Sequence, residues 1–238
     1  MTAATPHNAY QRTYFKRKGR GNVRLEPTES PYVQRHLNHT LRALALKPEA
    51  TILEVGAGLG RFTSLLLGRK LAVTACDLSP ELLAHLVERH PGVATLACDV
   101  AEVAERTPAR FDAVVGFFML HHLSDLDGVF RGLSRVLLPG GRVAFCEPNA
   151  YHLPYYLQIA LSRHMTFRGD GGVFNMRPGV VSRSLERAGF TDVRVERYGF
   201  APPFVYNRAS GRALDHALEA LPLLERVRAF QIFSASVP

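Results

Sequence analysis

Three glycines at alternate positions form the first stretch of this sequence with a clear chemical use. Gly56, Gly58 and Gly60 follow the apolar run TILEV and open the segment GRFTSLLLGR. Glycine has no side chain, so such a loop lets the backbone approach a ligand closely. The loop contains no lysine followed by serine or threonine, which excludes the phosphate-binding loop of ATPases. A dinucleotide-binding loop would need a glycine where Arg61 stands.

Acidic and basic side chains end or follow the other apolar runs. Asp77 closes LAVTACD, Asp99 closes GVATLACD, and Glu147 lies near the end of GRVAFCEPN. Carboxylates accept charge-assisted hydrogen bonds from hydroxyl and amino groups. His121 and His122 follow RFDAVVGFFM, and a histidine can take up a proton near neutral pH. These residues are therefore candidates for ligand binding and proton transfer.

An alternation of strands and helices begins near residue 50 and must position these residues. Short β-branched runs alternate with helical patterns, and Ser79 followed by Pro80 is typical of a helix start. This order predicts parallel strands, right-handed crossovers and a doubly wound α/β sheet. Ligands of such sheets bind at the carboxyl ends of the strands. The predicted strands are TILEV, LAVTACD, GVATLACD, RFDAVVGFFML and GRVAFCEPN.

The alternation breaks after residue 149 and resumes later. A helix is predicted at PGVVSRSLERAGF, a strand at TDVRVERYGF, a helix interrupted near Pro222 at NRASGRALDHALEALPLLERV, and a last strand at RAFQIFSA. The length suits one domain with appendages. We predict a basic N-terminal arm and helical cap at 1–40, a binding core at 41–149, a substrate lid at 150–177, and the C-terminal part of the same α/β domain at 178–238.

The core resembles the class I S-adenosylmethionine-dependent methyltransferases. The resemblance covers about residues 50–149 and implies a Rossmann-like sheet of seven strands, mostly parallel with an antiparallel last strand, and helices on both faces. It also implies S-adenosylmethionine as cofactor and S-adenosylhomocysteine as product. The stretches that carry it are Glu-x-Gly-x-Gly-x-Gly at 54–60, ACDLSPELL at 75–83, LACDV at 96–100, FDAVVGFFMLHHL at 111–123 and RVLLPGGRVAFCEPN at 135–149.

The resemblance implies roles at the cofactor site, and ordinary structural roles stand beside them. Asp77 would accept hydrogen bonds from the ribose hydroxyls, or it would cap a helix. Asp99 would accept a hydrogen bond from the adenine amino group, or it would belong to a surface turn. Glu54 would help to fix the methionyl ammonium or support the loop by packing. Phe117 and Met119 would line the site or belong to the core. The implied cofactor-binding set is Glu54, Gly56, Ala57, Gly58, Gly60, Asp77, Leu78, Asp99, Val100, Phe117 and Met119.

Three residues are candidates for catalysis. Methyl transfer requires alignment, exclusion of water and, for a hydroxyl acceptor, removal of a proton. His121 and His122 stand where the family often presents polar groups to the reacting methyl, but a structural or cofactor-positioning role is the alternative for this pair. Glu147 is the other candidate base, and anchoring a loop is its alternative role.

All eight tyrosines lie outside residues 33–150. Tyrosine combines an apolar ring with a polar tip and suits walls that face both a buried ligand and water. We therefore predict that residues 1–40, 150–177 and 198–208 jointly cover the mouth of the pocket. The alternative is that a core sheet simply prefers aliphatic residues. The candidate substrate-binding residues are Tyr10, Tyr14, Tyr32, Tyr151, Tyr155 and Tyr156.

Composition narrows the classes of partner. Six of the formal +8 charges lie in residues 1–25, so the remaining chain is nearly neutral. This arm would bind an anionic partner or be a solvated terminus. Nucleic acid is disfavoured as a partner because the body of the chain has little net positive charge and the fourth strand lacks an Asn/Asp-Pro-Pro-aromatic loop. No apolar run approaches the roughly 18 to 20 residues of a membrane span.

The cysteines and the N-terminus suggest a cytoplasmic protein. The three cysteines lack metal-ligand spacing, and no signal peptide is visible, so we predict no metal and a reducing compartment. A monomer or a homodimer is expected.

The sequence thus predicts a methyltransferase that acts on a small, hydrophobic or aromatic acceptor, with oxygen slightly preferred as acceptor atom. The lid segment 151–167 is apolar enough to touch a membrane surface, so methylation of a lipid or quinone there is an alternative. RNA methylation and cofactor binding without methylation are further alternatives. The glycine spacing disfavours NAD-dependent oxidoreduction.

Overall fold

A single seven-stranded sheet organises the described residues. The computed structural model describes residues 10, 11, 13, 26–162 and 165–238. The strand order is β3-β2-β1-β4-β5-β7-β6, with β1 to β5 paired in parallel and β7 antiparallel to both neighbours. This confirms the predicted sheet, mostly parallel with an antiparallel last strand. The strands are β1 Thr51–Val55, β2 Ala72–Asp77, β3 Ala94–Ala97, β4 Phe111–Phe117, β5 Leu137–Pro148, β6 Thr191–Tyr198 and β7 Phe230–Ser236.

Helices and single 3-10 turns connect the strands. The α-helices are α1 Pro31–Leu44, α2 Thr63–Gly68, α3 Pro80–Arg89, α4 Val103–Arg106, α5 Leu126–Ser134, α6 Leu153–Leu161, α7 Phe167–Asp170, α8 Pro178–Arg187, α9 Pro203–Tyr206 and α10 Ala209–Glu219. The 3-10 turns are Val100–Glu102, Leu120–His122, Gly171–Asn175 and Pro222–Val227.

Both faces of the sheet are covered by helices, as predicted. Phe130 of α5 and Leu185 of α8 are fully buried in the core on one face. Leu37 of α1 and Leu66 of α2 are equally buried in the core on the other. Burial of each such side chain contributes roughly 1.5 to 3 kcal/mol. The two cores hold the sheet firmly enough for its edge to carry a site.

Two helices begin at a serine followed by proline, and the start at Ser79 confirms the sequence prediction. The Ser79 hydroxyl accepts a hydrogen bond from the Leu82 amide at 3.3 Å and caps α3. The Ser30 hydroxyl accepts from the Val33 amide at 3.5 Å and caps α1. A side chain at this position satisfies an amide that the helix itself leaves unpaired. The cap at Ser79 fixes the turn that follows β2, next to the glycine loop.

The order of the strands in the sheet changes direction at β1. The chain adds β2 and β3 on one side of β1 and then returns to place β4 on the other. Such a switch point leaves a crevice outside the carboxyl ends of the two central strands. The loop after β1 and the turn after β4 therefore meet at the site that the sequence singles out.

The insert between β5 and α8 is tied to the sheet at both ends. The buried Gln231 amide of β7 donates to the Pro148 carbonyl at 3.1 Å and to the Met176 carbonyl at 2.6 Å. One side chain thereby fixes the start and the end of the segment 150–177. None of the described helices combines the length and apolar character that a membrane span needs.

Candidate active site

The glycine loop after β1 is built around left-handed backbone. Gly56, Gly58 and Gly60 have φ angles of 71°, 53° and 81°, a region that costs other residues about 1 to 2 kcal/mol. A Cβ on Gly56 would lie 2.8 Å from Met119, and one on Gly60 would lie 2.9 Å from Leu86. A Cβ on Gly58 would meet no described atom within 4 Å. The first and third glycines thus permit packing, and the second has open space where a side chain would stand.

Asp77 lies at the end of β2 and contacts this loop directly. One carboxylate oxygen accepts from the Gly58 amide at 2.8 Å, and the other accepts from the Ser79 amide at 2.9 Å. Burial raises the pKa of Asp77, and the amide hydrogen bonds from Ser79 and Gly58 oppose that rise. Each oxygen retains a second lone pair for a hydroxyl group of a ligand. The carboxylate therefore braces the loop at Gly58.

Glu54 supplies a second buried carboxyl group under the loop. Its side chain accepts from the Thr63 hydroxyl at 2.6 Å. Burial raises the pKa of Glu54 to about 8, with a smaller contribution from Asp77 in the same direction and an opposing one from Thr63. No described cation lies within ion-pair distance of this carboxyl. An ammonium group of a ligand would favour its charged form.

The donors and acceptors of the loop fit S-adenosylmethionine. The Gly58 backbone is open to a ligand, Asp77 suits a pair of hydroxyls, and the buried Glu54 suits an ammonium group. The residue Ala57 is buried, and its amide donates to the Cys76 carbonyl at 3.0 Å. Leu78 is half-buried in the turn after Asp77.

The predicted adenine residues lie in the turn after β3. The Asp99 carboxylate accepts from the Ala101 amide at 3.0 Å and caps the 3-10 turn Val100–Glu102. Val100 is 6% exposed and packs in the core under α5. Asp99 therefore has the turn role that was one of its two predicted alternatives. The adenine contact of these two residues stays a prediction.

The end of β4 lies against the glycine loop. Met119 contacts Gly56, and Phe117 stacks on Phe62 with ring centroids 3.8 Å apart. Both side chains are largely buried, at 8% and 7% exposure. Phe118 between them has a φ of 56°, which is rare for a bulky residue. These residues form one wall of the crevice and are also part of the core.

Glu147 organises the turn after β4. It is fully buried and accepts from the amides of Met119 at 2.8 Å and Leu120 at 2.7 Å. Its other oxygen lies 2.6 Å from His121 Nδ1. With its oxygens held in this way, the carboxylate orients the turn and the imidazole. This arrangement favours the anchoring role for Glu147.

The two histidines differ in exposure. His121 is 6% exposed, whereas His122 is half-buried, and their rings lie 3.9 Å apart between centroids. A Cβ on Gly172 would lie 1.8 Å from the His121 carbonyl, so the 3-10 turn Gly171–Asn175 packs closely on this backbone. The insert therefore borders the turn that carries both candidate catalytic histidines.

The predicted substrate tyrosines fall into separate groups. Tyr32 packs on Tyr206 with centroids 6.2 Å apart, and its amide donates to the Asn207 side chain at 3.0 Å. This contact brings residues 26–40 and 198–208 together. Tyr10 is half-buried, and Tyr14 lies outside the described residues.

The tyrosines of the insert form a second group. Tyr156 stacks on Phe174 at 4.5 Å and donates its hydroxyl to the Ala150 carbonyl at 2.8 Å. Tyr155 packs edge-on against Tyr156. Tyr151 lies under the guanidinium of Arg226, 4.8 Å from it, beside a surface cleft. Joint coverage of one pocket mouth by all these segments stays a prediction.

Two residues near the crevice, His36 and Arg61, were not among the predicted site residues. His36 of α1 is 1% exposed, its Nδ1 lies 2.7 Å from the Tyr198 hydroxyl, and its Nε2 has no hydrogen-bond partner among described residues. Burial lowers the pKa of His36 well below its usual value, and Arg35 and Arg61 lower it further. Arg61 directly follows Gly60 and is half-buried. Its place in the glycine motif is a signal, whereas no local pattern distinguishes His36.

Aromatic rings surround His36. Tyr32 and Phe230 lie within 4.6 Å of its ring centroid, and Phe118 lies at 5.0 Å. Since Phe118 follows β4 and Phe230 begins β7, this aromatic group borders the carboxyl ends of the central strands. We call the set Tyr32, His36, Phe118 and Phe230 the aromatic wall.

Comparison with known proteins agrees with this geometry. Residues 53–143 match the model of a methyltransferase domain. The ubiquinone biosynthesis O-methyltransferase of Idiomarina loihiensis is 24% identical over 187 residues, 75% of this chain and 74% of that protein. The demethylmenaquinone methyltransferase of Tropheryma whipplei is 32% identical over 109 residues, 44% of this chain and 46% of that protein. The chain thus spans about half the length of several curated relatives.

A solved structure shows the same fold over nearly the whole chain. Phosphoethanolamine N-methyltransferase 2 of Haemonchus contortus, in complex with S-adenosyl-L-methionine, has a TM-score of 0.66 and 18% identity. The match covers 96% of this chain and 60% of that one. The domain match and the named relatives confirm the predicted methyltransferase class, and the solved structure confirms the predicted fold. Residues 53–143 thus match a methyltransferase domain carried on this sheet, beside a glycine loop that suits S-adenosylmethionine.

Proposed function

We propose that the protein transfers a methyl group to an oxygen of a small aromatic or otherwise hydrophobic acceptor. The observation that carries this proposal is the aromatic wall beside the cofactor loop. It presents flat apolar rings and a buried histidine whose Nε2 has no described partner. An aromatic ring with a hydroxyl group matches both features, since buried polar atoms favour a hydrogen-bonding partner. Relatives named ubiquinone O-methyltransferases support the same class of acceptor.

The chain's own residues would hold the cofactor around the glycine loop. The Gly58 backbone and Asp77 would take the ribose side, Glu54 the ammonium, and Asp99 with Val100 the adenine. Bound S-adenosylmethionine supplies an already activated methyl group. The protein contributes mainly alignment and exclusion of water.

Proton removal from an acceptor hydroxyl would fall to His121. The Glu147 carboxylate at 2.6 Å holds Nδ1 and favours the tautomer with its proton there. The other ring nitrogen is then free to accept a proton. Glu147 would act as a positioning residue, because its oxygens already bind two amides and the imidazole.

The half-buried Arg61 suits an acceptor that carries negative charge. It directly follows Gly60, and its electrostatic interaction with Tyr32 indicates that it lies near the aromatic wall. Burial lowers its pKa, so a neighbouring anion would stabilise the guanidinium. An acidic group on the acceptor would match both this residue and the basic arm.

A second candidate is methylation of a lipid-soluble quinone at a membrane surface. Leu153, Leu157 and Leu161 follow one another at four-residue spacing along α6 and are 75%, 61% and 75% exposed. Side chains at this spacing share one helix face. An apolar face of this kind suits contact with a lipid interface, and relatives named for quinone methylation favour such an acceptor.

Labelling of a fractionated extract tests the proposal. The purified protein is incubated with methyl-labelled S-adenosylmethionine and host extract divided into small-molecule, lipid and RNA fractions. We expect label in the small-molecule fraction as a methyl ether. Label in the lipid fraction would favour the second candidate. Label confined to RNA, or no label although the cofactor binds, would contradict both.

A further inference from the structure

Two of the three cysteines lie side by side under the cofactor site. Cys76 is the penultimate residue of β2, Cys98 directly follows β3, and their sulfur atoms are 3.7 Å apart. The Cys98 amide donates to the Asp77 carbonyl at 3.1 Å. Cys76 immediately precedes Asp77, and Cys98 immediately precedes Asp99. A change at either sulfur therefore acts one residue away from a proposed cofactor-binding carboxylate.

The two thiols differ in reactivity. The hydrogen bond from Cys76 lowers the pKa of Cys98, and Arg106 lowers it further against the effect of burial. That same hydrogen bond and burial raise the pKa of Cys76. Cys98 also keeps 7% exposure, compared with 1% for Cys76. Since the thiolate is the attacking species, Cys98 is the reactive partner and Cys76 the resolving one.

We propose that a hydroperoxide oxidises Cys76 and Cys98 to a reversible disulfide that weakens cofactor binding. The Cys98 thiolate attacks the peroxide, an S–O bond forms, the O–O bond breaks, and hydroxide leaves and takes up the Cys98 proton. Cys76 then attacks the sulfenic sulfur, the S–S bond forms, and the second hydroxide leaves with the Cys76 proton. Two thiols and one hydrogen peroxide thus give one disulfide and two water molecules.

Formation of the bond must move both strand ends. A disulfide sulfur separation is about 2.05 Å, so the sulfurs must approach by roughly 1.7 Å. Asp77 is held to the Gly58 and Ser79 amides, and a shift of its backbone disturbs both hydrogen bonds. We expect at least a tenfold loss of S-adenosylhomocysteine affinity. By reciprocity, bound S-adenosylhomocysteine then raises the reduction potential of the pair by about 30 mV.

The experiment compares reduced and oxidised full-length protein. After treatment with hydrogen peroxide, mass spectrometry of non-reduced peptides identifies the cross-link, and calorimetry measures S-adenosylhomocysteine binding before and after addition of dithiothreitol. We expect a Cys76–Cys98 peptide, weakened binding, and recovery with dithiothreitol. Cys98→Ser and Cys76→Ser should retain their affinity under peroxide.

Cys146→Ser is the matched control. Cys146 is buried on the other face of the sheet, where it lies 3.0 Å from the Tyr198 hydroxyl. This variant should still form the cross-link and lose affinity as the wild type does. A Cys76–Cys98 disulfide with unchanged affinity would overturn the proposal, as would irreversible oxidation of Cys98 without a cross-link.

The inference rests on the cofactor site and not on the acceptor. No acceptor or turnover is needed, so its failure would leave the proposed acceptor untouched. Reduced wild type that fails to bind S-adenosylhomocysteine would overturn the redox proposal and the cofactor site together.

Discussion

At the scale of single residues, Asp77 is the side chain on which the proposed cofactor contacts depend most. Its two oxygens accept hydrogen bonds from the Gly58 and Ser79 amides at 2.8 and 2.9 Å, which fixes the carboxylate against the glycine loop. We expect Asp77→Ala to weaken S-adenosylhomocysteine binding by about 1 to 3 kcal/mol, the range of lost hydrogen bonds to a charged group. Calorimetry measures this change.

Asp112→Ala is the control for that variant. Asp112 accepts from the Thr51 amide at 2.8 Å, at the amino end of β1 and away from the loop. Its affinity should equal that of the wild type. Wild-type affinity in Asp77→Ala would show that the ribose lies elsewhere.

Glu54 makes stability depend on pH. Its pKa rises from 4.5 in the unfolded chain to about 8 in the folded protein, so the folded state holds a proton that the unfolded state releases. This contribution to stability is complete below pH 4.5 and is lost as the pH rises to about 8.

Glu54→Gln lacks this titration. As the pH rises between those values, the wild type without ligand loses stability and the variant does not. The free energy of unfolding of the variant should therefore increase by on the order of 2 to 4 kcal/mol relative to that of the wild type. Urea unfolding at a series of pH values measures the difference. A constant difference between the two proteins across this range would mean that Glu54 is charged at neutral pH.

At the scale of elements, the glycine loop separates packing from ligand contact. Gly56→Ala and Gly60→Ala add a Cβ within 3 Å of Met119 or Leu86, in addition to backbone strain. We expect each to cost roughly 2 to 4 kcal/mol of stability, as strain and overpacking together imply. Thermal unfolding measures this cost.

Gly58→Ala should behave differently. It adds strain of about 1 to 2 kcal/mol but no clash with described atoms. We expect Gly58→Ala to lose less stability than the other two substitutions. Relative to that loss of stability, its loss of S-adenosylhomocysteine affinity should be the largest of the three. Equal effects of all three substitutions on stability and affinity would contradict this division of roles.

Sequence pattern was sufficient for most elements but not for all site residues. Short β-branched runs and caps such as Ser79 act locally, so β1, β2 and the start of α3 could be predicted. His36 could not, because its burial comes from contacts of α1 with Phe118 and Phe230, which are distant in sequence.

The role of Glu147 shows the same limit. A carboxylate at the end of β5 was predicted as a candidate base. Only the folded chain shows that it accepts from the Met119 and Leu120 amides as well as contacting His121. Hydrogen bonds between the ends of neighbouring strands depend on register, which the sequence pattern does not specify.

At the scale of the whole molecule, most of the net positive charge lies in the N-terminal arm. Residues 1–25 carry six basic residues and no acidic ones. Deletion of this arm should raise the acceptor's KM severalfold and leave the cofactor's KM unchanged, because the charge would attract an anionic acceptor. Steady-state kinetics at low salt measure both constants. An unchanged acceptor KM would remove the arm from acceptor recognition.

The most direct test of the central claim is a calorimetric titration of the purified protein with S-adenosylhomocysteine and, separately, with NAD. The loop spacing, the open Gly58 backbone and the buried Glu54 predict that S-adenosylhomocysteine binds at one site per chain and that NAD does not bind. Binding of NAD without binding of S-adenosylhomocysteine would contradict the account.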